Sequence, residues 1–302
     1  MLEPQLGMSM ERLIGSARIA EKLGFGYLFR SDHLLPTDNR RGIDSPECWT
    51  SLGGVAASTT DLKFGPMVSP VGFRNPALLA KMACTLHSYS KGRLQLAIGA
   101  GWYEPEYLAH GFKFPPFAER LGQFKEEVRI LTDMVRSGRV DFDGKYFSAH
   151  TDCLPRPAGE MRLIIGAKAK SLVRQAAKHA DEWNYLASPP ELFAAAKKEF
   201  ESAAEGRKVD ISEMGPFLIG RTLEDLERNA ATQIAKLGQQ ASPAELVKRV
   251  KARGGACGTV EEFKQAVGAK VDFGISRFYF QTLVPENVGM VELLADSLRA
   301  GI

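Results

Sequence analysis

The chain has 302 residues, 44% of them hydrophobic and 25% charged, with 39 basic against 36 acidic side chains for a net charge of +3. That is an ordinary globular composition, long enough for a sizeable core and for one large α/β barrel. Basic and acidic residues alternate, as in KKEFESAAEGRK (197–208), so no stripe would track a nucleic acid, and no window approaches the roughly eighteen apolar residues of a membrane span. The expected partner is therefore a small molecule.

Cys48, Cys84, Cys153 and Cys257 lie far apart and make no CxxC or Cys/His ligand pattern, which argues against a disulfide framework or a zinc site and for a reducing compartment. The opening MLEPQLGMSMERLIG has no basic head, apolar stretch and small-residue cleavage site in succession, so a cytoplasmic location is expected.

In chain order, Ser9 is placed to cap a helix whose Leu13, Ile14, Ala17, Ala20 and Leu23 recur at helical spacing, with Gly24 to stop it. YLFRSDH (27–33) reads as a strand running into a polar loop. A small-residue helix over Cys48–Thr59 precedes the strand LKFGPMVSP (62–70); Pro76–Ser88 is helical, Arg93–Ile98 a strand, and Ala118–Ser137 a long amphipathic helix. VDFDGKYF (140–147) alternates around Asp-Gly as an appended hairpin would. The rhythm resumes with strand MRLIIGA (161–167), helix Ser171–Ala180, strand DEWNYLA (181–187), helix Pro190–Ala204 and strand GPFLIG (215–220). Three helical segments fill 222–269, and RFYFQTL (277–283) supplies a strand before a closing helix.

Strand followed by helix, repeated without a linker or composition break, predicts parallel strands joined by crossover helices, here one (β/α)8 barrel domain over 1–302. Seven strands are visible, at 25–31, 62–68, 93–98, 161–166, 182–187, 215–220 and 277–283. Only MLEPQ remains for the eighth, which makes the first strand vestigial or missing.

In such a barrel the chemistry gathers at the C-terminal ends of the strands. LQLAIGAGWYEPEYLAHGF (94–112) passes there from a strand into Gly99, Ala100 and Gly101, where minimal side chains let backbone N–H groups approach a flat or anionic ligand, then into Trp102, Tyr103, Glu104 and Glu106. The alternative is a tight turn with Trp102 packed in the core and both glutamates in water. Asp32 and His33 close the second strand as candidates to contact a cofactor, His33 also to move a proton. PMVSP (66–70) closes the third. IIGAKAKS (164–171) leads through Gly166 and Ala167 into a helix starting near Ser171, where free N–H groups beside Lys168, Lys170 and Ser171 suit a phosphate; a simple cap with solvated lysines is the other reading.

His33, His87, His110, His150 and His179 form no HxH or HExxH, no metal ligand set is expected, and GxSxG is absent. What these strand ends suit is a phosphate-bearing planar cofactor that brings its own chemistry.

The succession GFGYLFRSDH (24–33), GPMVSPVGFRNPALLAKMACTLHSYSKGRLQLAIGAGWYEPEYLAHGFKFPPFAERL (65–121), FDGKYF (142–147) and GAKAKSLVRQAAKHADEWN (166–184) resembles the bacterial luciferase-like family of flavin monooxygenases and coenzyme F420-dependent oxidoreductases. Within it the chain is most similar to the branch described as probable F420-dependent oxidoreductases. The likeness is dense over 7–187 and looser to the end, through GTVEEFKQAVGAKVDFGISRFYFQ (258–281).

The resemblance implies an F420 or FMN ring lying across the strand ends against Pro66, Met67, Val68 and Ser69, with a non-prolyl cis peptide expected at Pro66–Met67. Gly99, Ala100, Gly101 and Trp102 would flank the ring and tail, His33 would approach its reactive side, and Gly166, Ala167, Lys168, Lys170 and Ser171 would hold the phosphate. Relatives often form homodimers. Gly166-Ala167 stands where the family commonly has Gly-Gly, and Trp102 where sugar-phosphate dehydrogenase relatives carry an acid, which argues against that substrate. Glu104, two residues on, is then the candidate general acid, or else a solvated loop residue. The activity implied is F420-dependent hydride transfer, with FMN-dependent monooxygenation as the alternative. A barrel that has lost its cofactor is a third reading of another class.

Overall fold

The computed structural model describes residues 1–38 and 40–301. Its elements are α1 (Met10–Lys22), β1 (Tyr27–Arg30), α2 (Cys48–Ser58), β2 (Lys63–Pro66), β3 (Ser69–Pro70), α3 (Pro76–Tyr89), β4 (Leu96–Gly99), α4 (Glu104–Ala109), α5 (Phe117–Arg136), β5 (Arg139–Asp143), β6 (Ser148–Asp152), β7 (Leu163–Gly166), α6 (Lys170–His179), β8 (Glu182–Leu186), α7 (Pro190–Ala204), β9 (Asp210–Gly220), α8 (Leu223–Leu237), α9 (Pro243–Ala252), β10 (Ala256–Thr259), α10 (Val260–Asp272), β11 (Arg277–Gln281) and α11 (Val288–Arg299).

Parallel pairing runs β1–β2, then β3–β4–β7–β8–β9–β11. A bridge between Phe64 and Leu94 joins the two sheets, with Phe64 N–H donating to the Arg93 carbonyl at 3.1 Å and Gln95 N–H to the Phe64 carbonyl at 2.8 Å. Leu2 bridges in parallel to both Arg30 and Thr282. Its N–H donates to the Phe29 carbonyl at 2.8 Å, Ser31 N–H donates to the Leu2 carbonyl at 3.1 Å, and Thr282 N–H to the Met1 carbonyl at 3.0 Å. The parallel pairings thus return to their start, as in an α/β barrel, with a first strand reduced to one bridging residue before the turn Pro4–Leu6.

The helices begin where their sequences say they should. Ser9 accepts from Arg12 N–H ahead of α1, and Asn75 accepts from Ala77 N–H at 2.9 Å ahead of α3, whose Pro76 occupies the first turn. Such caps contribute about 1 kcal/mol each. Leu79, Ala80, Ala83, Cys84 and His87 give α3 a buried stripe at helical spacing. Phe29, Met67, Ala97, Ile164 and Tyr279 pack inside the ring of strands, and a larger cluster lies between strands and helices.

Three departures from the sequence expectations matter. The hairpin is longer than 140–147: β5 and β6 pair antiparallel from Arg139↔Asp152 to Asp143↔Ser148, and the turn is Gly144–Phe147, not Asp-Gly alone. The strand at 215–220 begins five residues early, at Asp210. Its buried Ser212 and Glu213 hide it from hydropathy because they are satisfied by neighbouring elements: Asn184 of β8 donates to Ser212 Oγ at 2.9 Å, and Lys270 of α10 pairs with Glu213. The strand β10 falls inside the stretch read as three helices. It pairs with the far half of β9, Ala256↔Phe217 to Thr259↔Gly220, and centres a second core made with α8 to α11. Among the described residues no helix is long and apolar enough to cross a membrane.

Candidate functional site

A cavity of about 690 Å³ opens at the C-terminal ends of the strands. Followed in strand order, its wall is built from Asp32 and His33 after β1, Met67 and Val68 after β2, Gly99 to Trp102 after β4, and Gly166 to Ala169 after β7. It continues through Asn184, Leu186, Met214 and Gln281 to Glu3 beside the residual first strand.

The floor is set by a cis peptide between Met67 and Val68. The expected bond, Pro66–Met67, is one residue too early. Pro66 still belongs to the strand, paired with Arg30, and Met67 N–H extends that ladder to the Arg30 carbonyl at 2.7 Å before the chain turns. Val68 then projects between two glycines. A Cβ at Gly99 would lie 2.5 Å from one of its methyl groups, and a Cβ at Gly166 would lie 2.8 Å from the other. These glycines are small because Val68 needs the room. Gly101 has φ +69 and stands where a Cβ would overlap the Tyr107 hydroxyl, so it serves the packing of Tyr107, which donates to the Val71 carbonyl at 2.8 Å.

Asp32 belongs to the cavity wall, but its side chain is buried and its carboxylate already engaged. Ser69 Oγ donates to it at 2.6 Å, Arg74 donates at 2.7 and 3.1 Å, and Trp49 Nε1 donates to Ser69 Oγ at 2.9 Å. Pro66 and Ser69 are buried beneath the cavity and do not line it. Ser69 acts on the site through Asp32.

His33 is the most polarised group. Its Nδ1 lies 2.9 and 3.1 Å from the two oxygens of Glu106, which also accepts from Leu34 N–H at 3.0 Å. Burial alone would push the imidazole down; the hydrogen bond and charge of Glu106, with Glu3 and Asp32 farther off, outweigh it and hold His33 above its ordinary value. Trp102 and Tyr103 meet the imidazole edge to face, at 5.7 and 6.2 Å between centroids. Trp102 is 66% exposed and therefore no core residue.

Glu104, the expected general acid, is exposed and lies outside the cavity. The carboxylate brought to the site is Glu106, 2% exposed. The reason is α4, a short helix with Pro105 in its first turn that the sequence reading passes over: Glu106 and Tyr107 face inward while Glu104 and Leu108 face water. The spacing of Tyr103, Glu106, Tyr107 and His110 was the available signal.

The turn before α6 leaves its backbone unspent. Lys170 opens the helix, one residue earlier than expected, and Ala169 at the cap position has no side chain that caps it. Gly166, Ala167, Lys168 and Ala169 line the cavity; Lys170 and Ser171 sit just behind, in the first helical turn. Arg120 was not anticipated. It is nearly buried, donates to the carbonyls of Ala100 and Pro115 at 3.3 and 2.6 Å, stacks over Phe114 at 3.9 Å and lines the same cavity. Among the described residues no three His, Cys, Asp or Glu side chains converge to hold a metal.

The model of the luciferase-like monooxygenase family matches residues 2–300. The chain belongs to that family. Among curated relatives, this luciferase-like chain is 30% identical over 208 residues to pyrimidine monooxygenase RutA of Pantoea ananatis, covering 65% of this chain and 55% of that protein. It spans about half the length of the curated relatives it matches. Among solved structures it resembles the F420-dependent tetrahydromethanopterin reductase of Methanopyrus kandleri, with TM-score 0.78 at 18% identity, covering 98% of this chain and 96% of that one. It also resembles the oxygenating constituent of 3,6-diketocamphane monooxygenase of Pseudomonas putida in complex with FMN, with TM-score 0.76 at 16% identity, covering 97% and 93%. At these identities the structural likeness speaks for the luciferase-like barrel alone.

Proposed function

We propose that the cavity binds a three-ring redox cofactor of the flavin type, coenzyme F420 in the first reading, for hydride transfer to or from a small organic substrate. The observation that carries this is one cavity combining a flat floor of Val68 between Gly99 and Gly166, the uncapped first turn of α6, and the His33–Glu106 pair. The residues fit the group. Backbone N–H groups at a helix start, next to Lys168, take a phosphate, and Arg120 adds fixed positive charge for an acidic tail. When bound, the cofactor supplies the redox chemistry itself.

The chain's residues orient and protonate. Val68, seated between its glycines, gives a ring a surface to lie on. His33, raised above its ordinary value by Glu106 against the effect of burial, is placed to hold a proton at Nε2 toward the cavity. Asp32 keeps Ser69 and Arg74 fixed beneath and takes no proton from the substrate in this reading. Monooxygenation with FMN is the second reading, favoured by the curated relatives named as monooxygenases.

Titration of the purified protein with F420 and with FMN in parallel, followed by cofactor fluorescence, tests both. Tight binding of F420 alone supports the first reading, and preference for FMN moves the protein to the second. Binding of neither overturns both and leaves a barrel without its cofactor.

A further inference from the structure

The three tryptophans of the chain are used in two ways. Trp49 and Trp183 are buried, and their indole N–H groups are spent on the protein: Trp49 Nε1 donates to Ser69 Oγ and Trp183 Nε1 to the Ala167 carbonyl, both at 2.9 Å. Trp183 also stacks on Phe200, 4.6 Å between centroids with 17° between the planes. Trp102 instead lines the cavity with its indole exposed. It is nonetheless held in place. Tyr103 packs against it at 5.2 Å, His33 meets it edge to face at 5.7 Å, and Gly101 before it is fixed in the left-handed conformation by the packing of Tyr107. Phe117 and Leu186 are also exposed and line the same cavity. Phe117 belongs to the Trp102 side, because Arg120, one turn further along α5, lies 5.9 Å over the Phe117 ring and donates to the Ala100 carbonyl.

Large apolar side chains left to water singly are ordinary. Several gathered in one cavity, with an indole among them braced by its neighbours, mark a place where a guest supplies the missing cover. An aromatic face takes a second aromatic ring, offset or edge-on, with more energy than the buried area alone provides. We propose that Trp102 is the specificity-determining residue of this cavity, seating an aromatic ring of the substrate on its exposed indole, beside the free Nε2 of His33. The second half of that placement follows from the imidazole: Nδ1 is committed to Glu106, so Nε2 is the nitrogen left for a guest. With 5.7 Å between the His33 and Trp102 centroids, one small guest can touch both rings. Calling the guest a substrate rests on the flavin reading; the seat on Trp102 does not.

Two probes isolate the aromatic contribution: acetophenone and cyclohexyl methyl ketone share a carbonyl and a six-membered ring and differ in whether that ring is aromatic. Nitrogen-15-labelled protein is titrated with each, without cofactor and with whichever cofactor it takes. The Trp102 indole N–H resonance is identified by its loss in Trp102→Phe, and those of the buried Trp49 and Trp183 report whether the fold is kept. Acetophenone is expected to shift the Trp102 resonance and to bind about fivefold more tightly than the cyclohexyl ketone. In Trp102→Leu, which stays apolar but loses the ring, ligand-observed NMR is expected to find the two ketones within about twofold of each other. Trp102→Phe is expected to keep the preference for acetophenone. Equal binding of the two ketones to the parent, a preference that survives in Trp102→Leu, or a Trp102 resonance that neither probe moves would overturn the proposal. So would a cofactor that moves the Trp102 resonance and leaves acetophenone without effect on it, which would return Trp102 to the flank of the cofactor. Failure of both cofactors to bind would instead sink the flavin reading, and the titration of the cofactor-free protein would still decide whether Trp102 seats an aromatic ring.

Discussion

The wall from β1 to β4 and the wall from β9 to the residual first strand differ in how completely their polar groups are paired. In the first, Asp32 is answered by Ser69 and Arg74, His33 by Glu106, and the Tyr107 hydroxyl by the Val71 carbonyl. In the second, Glu3 is answered by Gln5 and Gln281, but Gln239 Oε1 is buried with no answer. A fully paired group is fixed in place by its partners; a buried unpaired one contributes no such restraint. The first wall is fixed by its pairings, and the second leaves one buried oxygen unpaired.

The sharpest way to break that contrast is stability. The Asp32 side chain is completely buried and that of Arg74 nearly so, and removing the carboxylate leaves Arg74 only Glu47 as a counter-charge and Ser69 Oγ without its acceptor. Asp32→Ala is expected to cost about 3 kcal/mol. Gln239→Leu removes an oxygen that has no partner, and is expected to stay within about 0.5 kcal/mol of the parent. Urea denaturation of both variants checks the pair. A Gln239→Leu chain as unstable as Asp32→Ala would mean that the second wall is built like the first.

The start of α6 extends the comparison from side chains to backbone, since its N–H groups also await a partner. Ser171→Glu places a carboxylate in the first helical turn, where it favours the helix by about 0.5 kcal/mol, yet repels a phosphate from the same N–H groups. The variant is expected to melt no lower than the parent and to bind the cofactor at least tenfold more weakly in the fluorescence titration. Unchanged binding would remove the phosphate from this turn.

How much of this was legible in the sequence follows from where each feature gets its signal. Local features were legible: Ser9 and Asn75 sit at helix starts, and SDH, GAGW and GAKAKS end strands because short-range pattern governs both. Asp210–Met214 was not, since its polar residues are made strand-like by Asn184 and Lys270, far away in the chain. Gly99 and Gly166 could be marked as important, but the side chain they make room for, Val68, is contributed by the turn between β2 and β3. Glu104 and Glu106 are told apart only by the six-residue helix α4, which decides which carboxylate turns inward. Gln239 carried no motif at all. It reaches the cavity only because β9 overruns the ring of strands, pairs with β10 and carries α8 into a second core.

The finest test of the contrast is His33, because its position and its protonation have the same source. In the parent its value lies above the ordinary 6.5 although burial, the largest single influence, works the other way. Glu106→Gln keeps an oxygen for Leu34 N–H but removes the charge, and burial should then take over. The ring resonances of His33 are expected to titrate above the ordinary value in the parent and below it in the variant. Stability must follow with a definite sign. A histidine whose folded-state value is raised contributes stability that is fully present below about pH 6.5 and is lost as pH rises through the raised value. The advantage of the parent over Glu106→Gln should therefore be largest in mild acid and shrink toward alkaline pH. An advantage independent of pH would mean that Glu106 holds His33 by shape alone, and the proton assigned to this wall would have to come from elsewhere.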